Sequence, residues 1–159
     1  MTKPRAFQDY FPRMTCFGCG PNNRSGLKIK SFWTEDGLNV ICSWKPKITH
    51  SSGMPNVLQG GIIATLIDCH SIWTAIAYDY RDENRSFGTE PMPGYVTGTF
   101  NEIRLMRPTP LDAKIVLCAR VINKLRKKAI IHCELFADGV LCAKGEITAI
   151  RLEESRYIR

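Results

Sequence analysis

Asp68 is the residue whose type and setting most invite chemistry. It ends the run Ile62-Ile63-Ala64-Thr65-Leu66-Ile67-Asp68. In such apolar surroundings a carboxylate must protonate or find partners. The positions three and four residues away are Ala64, Thr65, Ser71 and Ile72, so no cation of its own helix face neutralises it. Gly61, Ala64, Thr65 and Ala75 share that face and leave room beside the carboxylate. A carboxylate so placed can attack a carbonyl or activate water to do so. The alternative is a structural carboxylate bonded to Thr65 or to a neighbouring loop.

Nine residues before Asp68 stands Gln59, followed by Gly60 and Gly61. Glycines let a ligand approach the backbone closely, and the first N–H groups of a helix are unpaired at its positive end. Donors aimed at a developing oxyanion contribute about 3–4 kcal/mol each. A plain glycine turn before a helix is the simpler alternative. His70 points roughly 200° around a helix from Asp68 and reads as a packed or hydrogen-bonded histidine. His50, in the loop before Gln59, is the better spare imidazole, and His132 has no assigned role. Cys16-Phe-Gly-Cys19 has the spacing of a zinc knuckle but no second pair follows, so no metal is expected.

These residues need elements to position them. The first 25 residues, with prolines at 4, 12 and 21, read as irregular, apart from a short amphipathic turn around Phe7–Phe11. Strand-like runs at Leu27–Trp33 and Leu38–Trp44 join through the hairpin signal Glu35-Asp36-Gly37. After a loop over 46–58, Gly61–Tyr78 is apolar on nearly every side, which predicts a helix buried by the rest of the protein. Four more strands are expected at Tyr95–Met106, Lys114–Asn123, Ala129–Ala137 and Leu141–Leu152, in a meander with a tight turn at Asp138-Gly139. An α+β fold follows, a single domain in which a curved antiparallel sheet wraps one long central helix.

The whole chain sets further bounds. With 159 residues and 44% hydrophobic composition it can bury a core without disulfides or metal. Its seven cysteines are odd in number and mostly lie in apolar runs, which suits a reducing compartment. No stretch reaches the roughly 18 apolar residues of a membrane span, and the N-terminus lacks the core of a signal peptide. The expectation is a soluble cytoplasmic protein. A formal charge of +7 favours anionic partners, with one denser patch at Lys124-Leu-Arg126-Lys127-Lys128. Most such runs are solvated turns.

The element order, with Leu58-Gln59-Gly60-Gly61 and Asp68 at its centre, resembles the hot-dog fold acyl-CoA thioesterase superfamily. The branch most alike includes the phenylacetyl-CoA-pathway and 4-hydroxybenzoyl-CoA thioesterases, and the likeness runs from about Cys16 to about Leu152. That branch pairs His-Gly-Gly with an acidic residue nine positions after the His, the spacing of Gln59 and Asp68 here. Val96-Thr97-Gly98-Thr99 and Leu105-Met106-Arg107-Pro108-Thr109-Pro110 also look like the family's strand after the helix. Two positions depart from the pattern: Gln59 replaces the His, and Gly53 stands where an Asn is frequent.

The resemblance implies thioester hydrolysis, with Asp68 as base or nucleophile and the Gly60 amide, helped by Gln59, polarising the carbonyl. Gly61, Thr65, His50, Arg104, Arg126, Lys127 and Lys128 are the candidates for holding an acyl-CoA, the cations for its phosphates. It also implies a homodimer or homotetramer, with Asp68 of one subunit facing Gln59 and Gly60 of another. No cofactor, nucleic acid or membrane partner is implied. Two other classes compete. A hot-dog protein could bind acyl-CoA without turning it over, and a basic chain could bind nucleic acid, although no interleaved aromatics or known module support the latter.

Overall fold

The computed structural model describes residues 4–153. One α-helix among the described residues, α1 (Gly60–Asp82), lies against one face of a six-stranded antiparallel sheet. The strands are β1 (Ser31–Trp33), β2 (Val40–Trp44), β3 (Tyr95–Leu105), β4 (Ile115–Leu125), β5 (Lys128–Ala137) and β6 (Val140–Arg151), in the order β1-β2-β4-β5-β6-β3.

The expected helix and strands are all present, with one error of topology. Only β4, β5 and β6 form a meander; β3 pairs with β6 at the far edge, and β2 pairs with β4. Local pattern does not say which strand pairs with which. The connection through α1 separates β2 from β3, and after the helix the chain enters the sheet at the edge beyond β6. The first strand is also shorter than its apolar run. Leu27 and Ile29 are buried, but their N–H groups bond to Phe17 and Gly18 instead of to β2.

Inner-face positions of the central strands alternate as expected: Ile115, Leu117, Ala119; Ala129, Ile131, Cys133, Leu135; Ala143, Gly145, Ile147, Ala149. The small residues among them bring the helix close. A Cβ on Gly145 would lie 2.6 Å from Ile67 Cγ2. The turn at Asp138-Gly139 has φ of 46° and 83°, the paired positive values of a tight hairpin turn.

By length and composition α1 does meet the requirement for a membrane span, with mean hydropathy 1.3 over 18 residues, contrary to the expectation above. Here the sheet is its solvent: 61% of that window is buried inside the protein. The helix also runs to Asp82 instead of stopping at Tyr78. Its polar last turn is held by ion pairs. Asp79, 2% exposed, accepts from the Tyr95 hydroxyl at 2.9 Å and pairs with Lys124 and with Arg151, the latter at 3.0 Å.

The irregular N-terminal segment belongs to the core. Phe7 is buried and stacks on Phe87 with ring centroids 4.5 Å apart. Gln8 is fully buried, bonded to Ser31 through both ends of its amide. Ser31 Oγ lies 2.9 Å from His70 Nδ1, while His70 Nε2 lies 3.1 Å from the Val40 carbonyl oxygen. A carbonyl only accepts, so Nε2 carries the proton and Nδ1 accepts from Ser31. His70 is therefore the packed, hydrogen-bonded histidine that its angle from Asp68 implied.

Burial holds the His70 imidazole down to about 4 from its ordinary 6.5. The unfolded chain binds this proton more readily, so the associated stability is present above about pH 6.5 and is lost as the pH falls toward 4. Urea unfolding across that window is expected to show a loss of about 3 kcal/mol from this group. A His70→Gln variant, less stable at pH 7, should lack that part of the slope.

Candidate functional site

The start of α1 is built by Gln59. Its backbone is extended, and its side-chain Oε1 accepts from the Ile62 N–H at 2.8 Å, capping the helix. Its own N–H donates to the His50 carbonyl oxygen at 3.0 Å, which ties the preceding loop to the helix start. The side-chain oxygen of Gln59 is thus occupied, and the remaining NH2 is its available donor. A Cβ on Gly61 would stand 2.9 Å from Gln59 Oε1, so a larger residue there would shift the capping side chain.

Gly60 opens onto a cavity of about 390 Å³ lined by Val57, Leu58, Ile63, Leu105, Met106 and Arg107, with Ser52, Pro108 and Thr109. The Thr109 hydroxyl is buried there without a hydrogen-bond partner among the described residues. Thr109 had no role assigned from sequence; its strand-end setting carries no signal of one.

Asp68 sits half-buried on a partly open stripe of the helix that includes Ala64, Thr65 and Ile72. Burial raises its carboxyl above the usual range, a hydrogen bond from Thr97 opposes this, and the nearby Cys16 adds to the rise. Thr97 Oγ1 donates to Asp68 Oδ1. The partner is thus a strand residue, whereas Thr65 donates to the Gly61 carbonyl oxygen at 2.9 Å. Sequence spacing could not find Thr97, which comes from β3, running beside α1 from Tyr95 near Asp79 to Leu105 near Gly60.

Within one chain these groups do not converge. Gly60 and Asp68 are eight residues apart on a straight helix, about 12 Å along its axis. His50 is adjacent to Gln59 through the backbone, but its ring stacks on Trp44 with centroids 5.1 Å apart, and Nδ1 accepts from the Lys47 N–H at 3.0 Å. Burial, with Lys47 nearby, lowers its pKa, which favours neutral imidazole.

The cations divide into two groups. Arg107 lines the cavity at Gly60, and Arg104, exposed, pairs with Glu102 at 2.5 Å near the same end of β3. Arg126, Lys127 and Lys128 lie at the β4–β5 turn, where Lys127 pairs with Glu153. Lys124 on that hairpin reaches Asp79 and Asp82, which places the turn near the other end of α1, about 30 Å from Gly60 of the same chain. Three sulfurs, of Cys16, Cys19 and Cys69, meet beside the Asp68 turn.

No family model and no curated protein matches the sequence. Solved structures do match. The fold is similar to a thioesterase superfamily protein from Shewanella loihica PV-4, 30% identical, with a TM-score of 0.62 over 79% of this chain and 91% of that one. A phenylacetic acid degradation-related protein from Ralstonia eutropha JMP134 is 17% identical, with a TM-score of 0.63 over 78% of this chain and 85% of that one. A thioesterase from Thermus thermophilus, complexed with coenzyme A and zinc, is 15% identical, with a TM-score of 0.57 over 72% of this chain and 79% of that one. At such identities the last two show the fold alone.

The cap makes a prediction independent of activity. Gln59→Ala removes the acceptor for the Ile62 N–H and is expected to lower stability by about 1 kcal/mol in urea unfolding.

Proposed function

This chain belongs to the thioesterase superfamily, and from that premise we propose that it hydrolyses an acyl-CoA thioester with Asp68 as the base or nucleophile. The observation that carries the reading is the half-buried Asp68 carboxylate, held through one oxygen by Thr97 on an open face of the helix. The second oxygen is left to face a water or the substrate.

As a base, Asp68 takes a proton from water as the water oxygen attacks the thioester carbon. The carbonyl oxygen gains negative charge, which the Gly60 N–H and the Gln59 NH2 stabilise. Collapse reforms the carbonyl, breaks the C–S bond, and returns the proton from Asp68 to the departing CoA sulfur. As a nucleophile, Asp68 would form a mixed anhydride with release of CoA, and water would then cleave the anhydride. The raised carboxyl pKa makes the ionised Asp68 a stronger proton acceptor, as the base role needs.

Donors about 12 Å from the carboxylate cannot serve the same carbonyl, so the reading requires a second copy of the chain. Its place is supported by β3, an edge strand paired only with β6 among the described strands. That edge leaves Val96 43% and Phe100 47% exposed, an apolar margin suited to pairing with a partner. In a homodimer, or a homotetramer built from two, Asp68 of one subunit would face Gln59 and Gly60 of the other. The apolar cavity at Gly60 would take the acyl group, and Arg104 and Arg107 stand at that end for phosphate. Arg126, Lys127 and Lys128 lie toward the other end of the helix, about 21 Å along it from Asp68, and would hold phosphates of a substrate extending from Asp68 in that direction. A cytoplasmic location belongs to the same reading, and seven free thiols fit it.

Release of free thiol from short-chain, long-chain and aryl acyl-CoA thioesters tests the reaction. Asp68→Asn should lower turnover by at least about a hundredfold with unfolding unchanged. Saturable CoA-dependent binding without turnover, indifferent to Asp68→Asn, would instead identify a non-catalytic binder. Sedimentation should give at least a dimer. Subunits carrying Asp68→Asn, mixed after dissociation with subunits carrying Gln59→Ala, should give activity above that of either parent; lack of any gain would place the groups in one chain.

A further inference from the structure

We propose that Cys16, Cys19 and Cys69 form a thiolate site for a zinc-class metal ion, with its fourth position open to solvent. Among the described residues this is the one group of three potential ligands whose ligating atoms all lie within 4.8 Å of one another. The Cys16 and Cys69 sulfurs are 3.6 Å apart. A zinc ion at about 2.3 Å from each sulfur, with tetrahedral angles, spaces its sulfurs about 3.8 Å apart. The observed spacing therefore needs only a slight adjustment to take the ion.

The backbone around these sulfurs is shaped to bring them together. The chain turns tightly from Cys16, whose carbonyl oxygen accepts from the Gly20 N–H at 2.8 Å. A Cβ on Gly20 would stand 2.4 Å from the Cys16 nitrogen. A Cβ on Gly18 would stand 2.4 Å from the Cys69 sulfur and 3.0 Å from Thr65 Cγ2. Any other residue at either position would push the loop sulfurs away from the helix. Both glycines lie within or beside the Cys-x-x-Cys turn, where they set its distance from α1.

The sequence offered only two of these sulfurs, because the third stands fifty residues later on the helix. It is Cys69 that makes the count sufficient. Cys19 and Cys69 are buried while Cys16 is exposed, so the ion would have two inner ligands and one at the surface. Three protein ligands and a solvent position are the arrangement of an open zinc site. The remaining cysteines, Cys42, Cys118, Cys133 and Cys142, belong to no such group. Bound metal would clip the N-terminal loop to the helix one residue from Asp68. The site stands independently of the hydrolytic reading, and its test uses no acyl-CoA.

The full chain, reduced and freed of metal by a chelator that is then removed, is titrated with Co(II). One cobalt per chain is expected, with thiolate-to-cobalt charge-transfer absorption and the strong visible bands of four-coordinate cobalt, all displaced by Zn(II). Zn(II) should raise the melting temperature of the wild type. Cys16→Ser lies in an exposed loop position and should fold, yet bind at least about tenfold more weakly, since loss of an outer-shell partner alone costs that much. Cys118→Ser should leave both the spectrum and the zinc shift unchanged. Absence of charge-transfer absorption in the wild type would overturn the site, as would a spectrum that survives Cys16→Ser combined with Cys19→Ser. A disulfide within the cluster as the stable form under mild reductant would overturn it as well.

Discussion

Everything in this structure depends on enclosing one helix that is apolar nearly all round. Such a helix has no face to offer water, so the sheet must curve over it and loops must fill what the sheet leaves open. Trp73, Leu66, Ile67 and Ile76 take the inner positions, and small residues on β5 and β6 allow close approach. Most polar groups the helix carries inside are satisfied individually, although the buried Ser71 hydroxyl has no hydrogen-bond partner among the described residues. His70 is matched to Ser31 and Val40, Thr74 to the His70 carbonyl oxygen, and Asp79 to Tyr95, Lys124 and Arg151. Asp68 differs from these. The hydrogen bond it accepts from Thr97 on the edge strand β3 leaves it only partly answered, on a half-buried stripe of the helix.

The difference between Asp68 and Asp79 separates structure from chemistry in a single helix. Asp79 is surrounded by two cations and a phenol and is 2% exposed, and these contacts leave no room for a ligand. It anchors the helix end to β3, β4 and β6. Asp68 has a hydroxyl, a half-open setting and a raised proton affinity. Eleven residues apart, the two carboxylates are assigned different work by their neighbours alone.

Periodicity was enough to read the helix, the hairpin turns and the alternating strands, because each depends on residues close in sequence. It also made Asp68 conspicuous and turned His70 away from it. Contacts between distant segments were not legible. Thr97 donates to Asp68 across 29 positions, the third sulfur of the cysteine group is on another element, and β3 pairs at the edge opposite to the one a meander would give it. The N-terminal segment was read correctly as irregular, but its prolines and glycines concealed that Phe7 and Gln8 are core residues. The basic run was visible as charge, yet its distance from Gly60 depends on the length of the helix and on which strands flank it.

The Gln8–Ser31–His70 chain has a consequence for how the protein is made. Gln8 leaves the ribosome roughly sixty residues ahead of His70, which at about 5–20 residues per second is a wait of about 3–12 s. Through that interval Phe7 and its neighbours have neither the helix nor Phe87 to cover them. This segment, synthesised well before its partners, is therefore among the last to find its place, and the nascent chain carries an exposed aromatic cluster that its own later half must retrieve.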